Sequence, residues 1–517
     1  MTYEETVSII VNKAINSVVF IDENAKEPYS LTDTTESKRC VELYQLFREN
    51  GMSLSIYQYD EKTYDDEKDY LFRNRDLVLL DWKLEGDDGS GEKSLEILSE
   101  IVSNRRHIHF CVIYTSETKK DLVYQNILSY FSGSCQDEYN LLKNYLEDEE
   151  DEIKSLEPLL IELLVCQLDR NRAKNVMSSI CKNNQQLVEK IQKEYGGDRK
   201  LALIKCGIAF SNLITSKSKE PTPSSIDAVT YTLNINNTIV AILNKDEINT
   251  NDVLQKFVEN IANYKWGVMQ LLGLEMRNIV KTKEAFVSQN VLQVTKDSLG
   301  FHKKNHLENF DSFLKSVMLE QEALSLRSEK LSLVEAIDVM PYNEALKSEY
   351  VSMNIFYNST YIANDKVLSF GDVFRFGQYY YICITALCDC VRPEKRNNMF
   401  YFAMGESIKV DKALLIGDEG FISYIGPNEC VKWNTSRDDV TNTPTYIIPL
   451  SYCVPNNKIQ DGELHILRFN DEDMFKVEDC LFEYVTTIKQ NYAQRIANHA
   501  FSHPVRVGID FIKKEKD

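Results

Sequence analysis

Short apolar runs alternate with amphipathic stretches along the first half of the chain. Continuous or alternating apolar residues predict strands, whereas apolar residues at every third or fourth position predict helices. The predicted strands are 17–22, 53–59, 76–80 and 109–114. The predicted helices are 37–50, a short one within 60–75, 94–102 and 121–131. This order predicts an α/β domain, a doubly wound parallel sheet with helices on both faces.

The last strand and helix of this sheet come only after an interruption. Residues 238–243, TIVAIL, predict a strand that is followed by Lys245, and residues 252–262 predict the closing helix. Residues 202–205 are a competing strand, which would end at Lys205. We favour Lys245, because its strand is better bounded and an amphipathic helix follows directly.

Changes in composition and periodicity divide the chain into five segments. Aromatic, β-branched and glycine residues replace the helical pattern near the C-terminal end, which predicts a barrel or sandwich. Within that part, residues 472–498 predict a return to helix. The segments are 1–134, the first part of the α/β domain; 135–225, a helical insertion; 226–264, the last strand and helix; 265–345, a helical region; and 346–517, a β-rich domain with a terminal helix.

Composition and charge narrow the class of protein. A length of 517 residues predicts several domains, and a formal charge of −20 argues against general neutralisation of nucleic-acid phosphates. The 12 cysteines lack the dense spacing of a small disulfide-bonded domain, so they are expected to be reduced. We find no signal peptide and no apolar run long enough to span a membrane, which predicts a cytoplasmic protein.

Polar side chains follow the predicted parallel strands where each strand ends. They are Asp22, Glu23, Asp81, Thr115 and Lys245. Because the carboxyl ends of parallel strands meet at one edge of a sheet, we expect these side chains to lie together. Crowded carboxylates either raise one another's pKa or bind a hard divalent cation, and Mg²⁺ suits a site with few carboxylates. A hydroxyl and an ammonium beside them would hold a phosphoryl group.

The segment 81–89, DWKLEGDDG, resembles the phosphoacceptor loop of the receiver domains of two-component response regulators. The resemblance implies a flavodoxin-like fold with Asp81 as the phosphoacceptor. It also places Asp88 and Gly89 at the expected offset and implies that the main-chain carbonyl of Lys83 is a magnesium ligand.

The same resemblance assigns roles to the other strand ends. It implies that Asp22 and Glu23 are an acidic metal-binding pair, that Thr115 is the switch hydroxyl and that Lys245 pairs with the phosphate. The chain departs from the family at Glu85 and Asp246, which stand where proline is common. These departures affect the usual output mechanism more than the phosphorylation chemistry.

The resemblance implies a signalling protein that a histidine kinase phosphorylates on Asp81 with Mg²⁺ and that acts on another signalling protein or effector. Similarity to large atypical receivers of two-component-like anti-phage systems adds phage defence as a setting. The apolar stripe of 265–345 is compatible with a homodimer. Two alternatives stay open: a pseudo-receiver scaffold without phosphotransfer, and an enzyme in the C-terminal β domain. A haloacid-dehalogenase-like hydrolase is disfavoured, because Lys83 stands where that chemistry needs a second aspartate.

Overall fold

The computed structural model describes residues 1–26, 34–86, 89–105, 107–282, 291–305, 310–338, 347–390, 392–416, 421–433, 447–469 and 476–502. The chain forms two compact units. The first comprises Met1–Phe301 with Leu314–Met340, and the second comprises His302–Phe313 with Pro341–Asp517. Asp88, which the sequence placed in the acceptor loop, lies outside the described residues.

A seven-stranded sheet forms the centre of the first unit. Its strands are β1 (Ser17–Asp22), β2 (Ser53–Gln58), β3 (Leu77–Leu80), β4 (Phe110–Thr115), β5 (Ser225–Asp227), β6 (Thr232–Ile235) and β7 (Thr238–Asn244). The strand order is β2-β1-β3-β4-β7-β6-β5. Strands β2, β1, β3, β4 and β7 run parallel, whereas β6 is antiparallel to β7 and forms an antiparallel hairpin with β5. The predicted parallel sheet is confirmed, whereas the hairpin was not predicted.

Helices cover the sheet and build the regions beyond it. In chain order they are α1 (Tyr3–Ala14), α2 (Thr35–Glu49), α3 (Glu61–Phe72), α4 (Glu92–Asn104), α5 (Lys120–Tyr130), α6 (Gln136–Tyr145), α7 (Glu150–Val165), α8 (Arg170–Asn183), α9 (Gln185–Tyr195), α10 (Arg199–Phe210), α11 (Val253–Asn263), α12 (Val268–Thr282), α13 (Lys296–Asn305), α14 (Phe310–Leu326), α15 (Ser332–Ile337), α16 (Lys347–Asn358), α17 (Leu387–Cys390), α18 (Val410–Ile416) and α19 (Gln490–Ser502). Among the described residues, none of these helices combines the length and the apolar composition that a membrane crossing requires.

Both faces of β1, β3, β4 and β7 are buried, which explains their continuous apolar runs, whereas the edge strand β2 is only partly buried. Val19 and Ile21 of β1 pack into a core with α3, α4 and α5. Val18 and Phe20 point to the opposite face and pack with α1, α2, α11 and α12. Side chains of a strand alternate between its two faces, so this split is the packing expected of a doubly wound sheet.

Helix α1 is an element that the sequence patterns did not predict. It begins at a capping box in which the Glu5 amide donates to the Thr2 hydroxyl (3.2 Å) and the Thr2 amide donates to the Glu5 carboxylate (2.8 Å). Val7, Ile10 and Val11 are buried in the core that α1 shares with α11 and α12. The helix therefore closes one face of the sheet.

The insertion between α5 and β5 is helical, as predicted. It also shows that residues 202–205, the alternative to 238–243 for the last strand, do not form a strand. Residues 202–205 lie within α10 rather than in a strand, because Leu203 and Ile204 pack into the core of the insertion helices. The buried Lys205 ammonium donates to the Ser132 carbonyl and lies 5.6 Å from the centre of the Tyr139 ring. It is therefore held inside the insertion.

The second unit contains a closed antiparallel β-barrel. The strands of this unit are β8 (Ser359–Thr360), β9 (Lys366–Val367), β10 (Asp372–Phe376), β11 (Tyr379–Cys383), β12 (Met399–Ile408), β13 (Ile422–Gly426), β14 (Glu429–Lys432), β15 (Pro449–Cys453), β16 (Lys458–Ile459), β17 (Glu463–Phe469) and β18 (Val477–Ile488). Strands β9 and β16 pair with each other in a separate two-stranded sheet. The strands β11-β10-β18-β17-β15-β12 follow one another, and pairing of β12 with β11 closes the ring.

Strand β18 corrects the prediction that residues 472–498 are helical. Val477–Ile488 is a strand, and helix begins only at Gln490. Cys480, Phe482 and Tyr484 alternate with exposed neighbours and are buried in the barrel core. The alternation of buried and exposed side chains therefore decides the structure of this segment, in spite of its helix propensity.

Candidate functional site

The carboxyl ends of β1, β3, β4 and β7 meet at one edge of the first sheet. Their parallel registers align Ile21 with Leu80, Leu80 with Ile113, and Thr115 with Asn244. The side chains that follow these strands therefore emerge side by side, as they do at the binding edge of open α/β sheets.

Three carboxylates converge at this edge. One oxygen each of Asp22, Glu23 and Asp81 lie within 4.8 Å of one another. Asp22 is 4% exposed and Asp81 is 5% exposed, whereas Glu23 is half-buried. Such close acidic groups, largely withdrawn from water, favour a cation nearby or the protonation of one carboxyl group.

Lys245 supplies a positive charge to this group. Its ammonium lies 2.6 Å from Asp22 Oδ2 and 2.8 Å from Asp81 Oδ1, and it also lies near the Phe20 and Tyr114 rings. Burial alone would lower the pKa of Lys245, but the carboxylates of Asp81 and Asp22 raise it above its ordinary value. The lysine is therefore charged and bridges two of the carboxylates.

The pKa values of two carboxyl groups are raised. Burial, together with the charges of Asp81 and Asp22, raises the pKa of Glu23 to about 7. Burial also raises the pKa of Asp81, although the Lys245 charge opposes the change. One lysine therefore does not compensate fully for three crowded acidic groups.

The donor set fits a hard divalent cation. Glu23 Oε2 is buried and accepts no hydrogen bond from the described residues, and the buried Asp81 Oδ1 has only the shared Lys245 ammonium beside it, at 2.8 Å. Carboxylate oxygens that are buried, crowded and short of donors are ligands of the kind that Mg²⁺ prefers. Asp22, Glu23 and Asp81 are therefore the residues that would hold the ion.

The loop after β3 is anchored to the start of α4. The Ser94 hydroxyl donates to the carbonyls of Asp81 (2.7 Å) and Trp82 (3.0 Å). Gly91 adopts a positive φ of 87°, and a Cβ at this position would overlap the Trp82 ring. Sequence reasoning did not identify Ser94 as an anchor, although its position at the predicted start of the helix after the acceptor strand was available as a signal.

Thr115 and Lys83 lie beside the carboxylates through other contacts. The Thr115 carbonyl accepts from the Lys245 amide (2.7 Å), while its hydroxyl accepts from the Glu117 amide (3.0 Å). The Lys83 ammonium lies 3.2 Å from a carboxylate oxygen of Glu117, a contact that no sequence spacing indicated. The structure thus brings the side chains of the three carboxylates and Lys245 together and links Thr115 to Lys245 through a backbone hydrogen bond. The role of the Lys83 carbonyl as a magnesium ligand stays a prediction.

The raised pKa of Glu23 makes stability depend on pH. The folded chain keeps this proton up to about pH 7, whereas the unfolded chain releases it near the ordinary value of 4.5. The contribution of the group to stability is therefore present below that ordinary value and lost as pH rises toward 7. We expect Glu23→Gln to flatten this part of the pH profile when unfolding temperatures are measured in EDTA.

The exposed Glu189 on α9 offers a matched control for that substitution. Glu189→Gln should leave the slope of the profile unchanged. Equal slopes for the native chain and Glu23→Gln would show that the carboxyl group of Glu23 titrates as it does in water.

Comparison with known proteins gives a result for the N-terminal part of the chain. Residues 14–157 match the family model described as "Response receiver domain". The match contains Asp22, Glu23, Asp81 and Thr115 but ends before β7, and the parallel pairing of β4 with β7 brings in Lys245. No curated protein and no solved structure matches the chain.

Proposed function

We propose that this chain, whose residues 14–157 are a response receiver domain, is a cytoplasmic signalling protein that is phosphorylated on Asp81. A receiver domain indicates response-regulator-like signalling in general, and the acceptor, the metal and the donor are the specific parts of the proposal. The observation that carries it is the convergence of Asp22, Glu23 and Asp81 within 4.8 Å, with Lys245 bridging two of them.

Each residue of the site has a chemical role in the proposal. A carboxylate oxygen of Asp81 attacks the phosphorus of a phosphohistidine on a histidine kinase, the phosphorus–nitrogen bond breaks, and its electron pair returns to the imidazole. Lys245 then pairs with the new phosphoryl oxygens, and the Thr115 hydroxyl donates a hydrogen bond to one of them. Bound Mg²⁺ would neutralise the crowded carboxylates and accept phosphoryl oxygens as ligands.

The phosphoryl group adds negative charge where Lys245 and Thr115 respond to it. We infer that the output is contact with another signalling protein or effector. Exposed apolar side chains on the later helices, including Phe301 on α13 and Leu319 on α14, support a homodimer through this region. A monomeric mass in light scattering for both the free and the phosphorylated chain would exclude that part of the proposal.

A setting in phage defence rests on the sequence resemblance alone. If the chain acts in phage defence, phage should form fewer plaques on cells that carry the native chain and its kinase than on cells that carry the Asp81→Asn variant and the kinase. Equal plaque numbers would remove this part of the proposal and leave the phosphorylation chemistry untouched.

Phosphoryl uptake from acetyl phosphate tests the proposal. On a phosphate-affinity gel we expect a retarded band in Mg²⁺, no such band in EDTA, and removal of the band by hydroxylamine, which cleaves acyl phosphates. An unshifted band in Mg²⁺ would instead favour the scaffold interpretation, in which the domain serves assembly without phosphotransfer.

A further inference from the structure

A basic cavity lies at the opposite edge of the same sheet, where the strands begin. Its volume is about 660 Å³, and its lining includes Asn16 and Ser17 at the start of β1 and Asp76 just before β3. Strand β1 separates Ser17 from Asp22, a distance of about 16 Å at the usual rise per residue. The cavity is therefore distinct from the carboxylate site.

Cationic side chains dominate the lining of this cavity. They are Arg73, Arg75, Arg105, Arg277 and Lys281. They come from the end of α3, the loop before β3, the end of α4 and two positions one turn apart on α12. A chain with a net charge of −20 thus concentrates positive charge from three separate segments, 73–75, 105 and 277–281, in one concave place.

The two carboxylates in the lining are each paired already. Asp69 accepts from Arg105, and Asp76 Oδ1 lies 3.0 Å from Arg277. The other Asp76 oxygen accepts from the Asn16 amide at 2.9 Å. With five cations facing two carboxylates, three positive charges are left without a carboxylate in the lining.

Several cationic hydrogen-bond donors in the cavity have no acceptor among the described residues, or only an uncharged acceptor. Arg75 donates to the Ser17 hydroxyl (2.7 Å) and the Leu71 carbonyl (3.0 Å). Arg105 Nε is buried and has no acceptor among the described residues. Within the same described part of the chain, the side chains of Arg73 and Lys281 make no ion pair or hydrogen bond. Donors of this kind are what a polyanion requires.

We infer that this cavity binds a small phosphate-bearing anion, a pyrophosphate or phosphate ester of mononucleotide size. Guanidinium groups bind phosphate oxygens in pairs, and the volume lies in the range of small-molecule sites. A nucleic acid would require an extended basic track, whereas this positive charge is confined to one cavity on an acidic chain. Arg277 and Lys281 lie beyond the residues matched to the receiver family, so the cavity joins the receiver domain to α12.

Calorimetric titration of the full chain in EDTA tests this inference. We expect pyrophosphate and ADP to bind, adenosine to give no heat, and the affinity for both anions to fall as salt rises. Without a divalent cation the acidic site at the other edge repels anions, and Asp81→Asn should keep the affinity. Binding that disappears in Asp81→Asn would assign the anion to the acidic site and overturn the inference.

Two matched double variants locate the binding site. Arg73 and Lys281 are exposed and have no side-chain partner in the part of the chain that the structure describes, so Arg73→Glu with Lys281→Glu should leave the fold intact by circular dichroism and weaken pyrophosphate binding about tenfold or more. Arg170 and Lys174 on α8 are also exposed, and the same replacements there change the net charge equally but should leave the affinity unchanged. Equal losses in both variants, absence of anion binding in the native chain, or binding of an RNA oligonucleotide but of neither small anion would each overturn the inference.

Discussion

Replacement of Asp81 by asparagine should abolish phosphoryl uptake and should also stabilise the metal-free protein. The amide has nearly the same shape but cannot form an acyl phosphate, so the retarded band obtained with acetyl phosphate should disappear. The raised pKa of Asp81 means that the fold disfavours its ionised form. Lys245 keeps Asp22 as its partner at 2.6 Å, so removing the charge of Asp81 should stabilise the fold by about 1 kcal/mol at pH 8 in EDTA.

Asp65→Asn is the matched control for this variant. Asp65 lies exposed on α3 and pairs at the surface with Lys68, at 3.2 Å. Its replacement should change neither phosphoryl uptake nor stability beyond a few tenths of a kcal/mol. Uptake that persists at the native level in Asp81→Asn would place the acceptor elsewhere, and a large loss of stability would mean that the Asp81 charge supports the fold.

Lys245→Met should cause the largest loss of stability at the site. The substitution leaves Asp22, Glu23 and Asp81 without the ammonium that bridges two of them in a buried place. Removing one partner of a buried ion pair costs about 3 to 5 kcal/mol, and we expect a loss of this size in chemical unfolding at pH 8 in EDTA. Added Mg²⁺ should restore part of the stability, because a cation then balances the same carboxylates.

The pH profile of Lys245→Met distinguishes this cause from a simple packing defect. Because the pKa of Glu23 is about 7 and that of Asp81 is raised, the loss should shrink below that pH as the carboxyl groups take up protons. Lys205→Met is the control, since burial lowers the pKa of that lysine to about 8 and it contacts Ser132 and Tyr139 rather than a carboxylate. Mg²⁺ should not rescue the control, and a loss in Lys245→Met that is independent of both pH and Mg²⁺ would refute the electrostatic cause.

The sequence identified β1, β3, β4 and β7 because each contains a continuous apolar run followed by a polar residue, and it identified the edge strand β2 by its alternation. A strand that is buried on both faces can be recognised in a single sequence by such an apolar run. The positions of Asp22, Asp81 and Thr115 at strand ends could therefore be predicted. The last strand was harder, because α10 also contains an apolar run before a lysine. The amphipathic helix after Lys245 separated the two cases correctly.

Other features depend on contacts that the sequence does not display. The hairpin strand β5 is only three residues long, too short for a periodic signal. Strand β18 reads VEDCLFEYVTTI, in which acidic residues on the exposed face hide the alternation. The pairing of Lys83 with Glu117 and the grouping of Arg73, Arg105 and Arg277 join residues from separate elements, so only the folded chain brings them together.

The site of phosphorylation can be located directly by reducing the chain with borohydride after treatment with acetyl phosphate and Mg²⁺. This reagent converts an aspartyl phosphate to homoserine, which peptide mass spectrometry assigns to one position. We expect homoserine at position 81, formed in Mg²⁺ and absent after treatment in EDTA. Homoserine at another aspartate, or none at all although Mg²⁺ is bound, would show that Asp81 is not a phosphoryl acceptor.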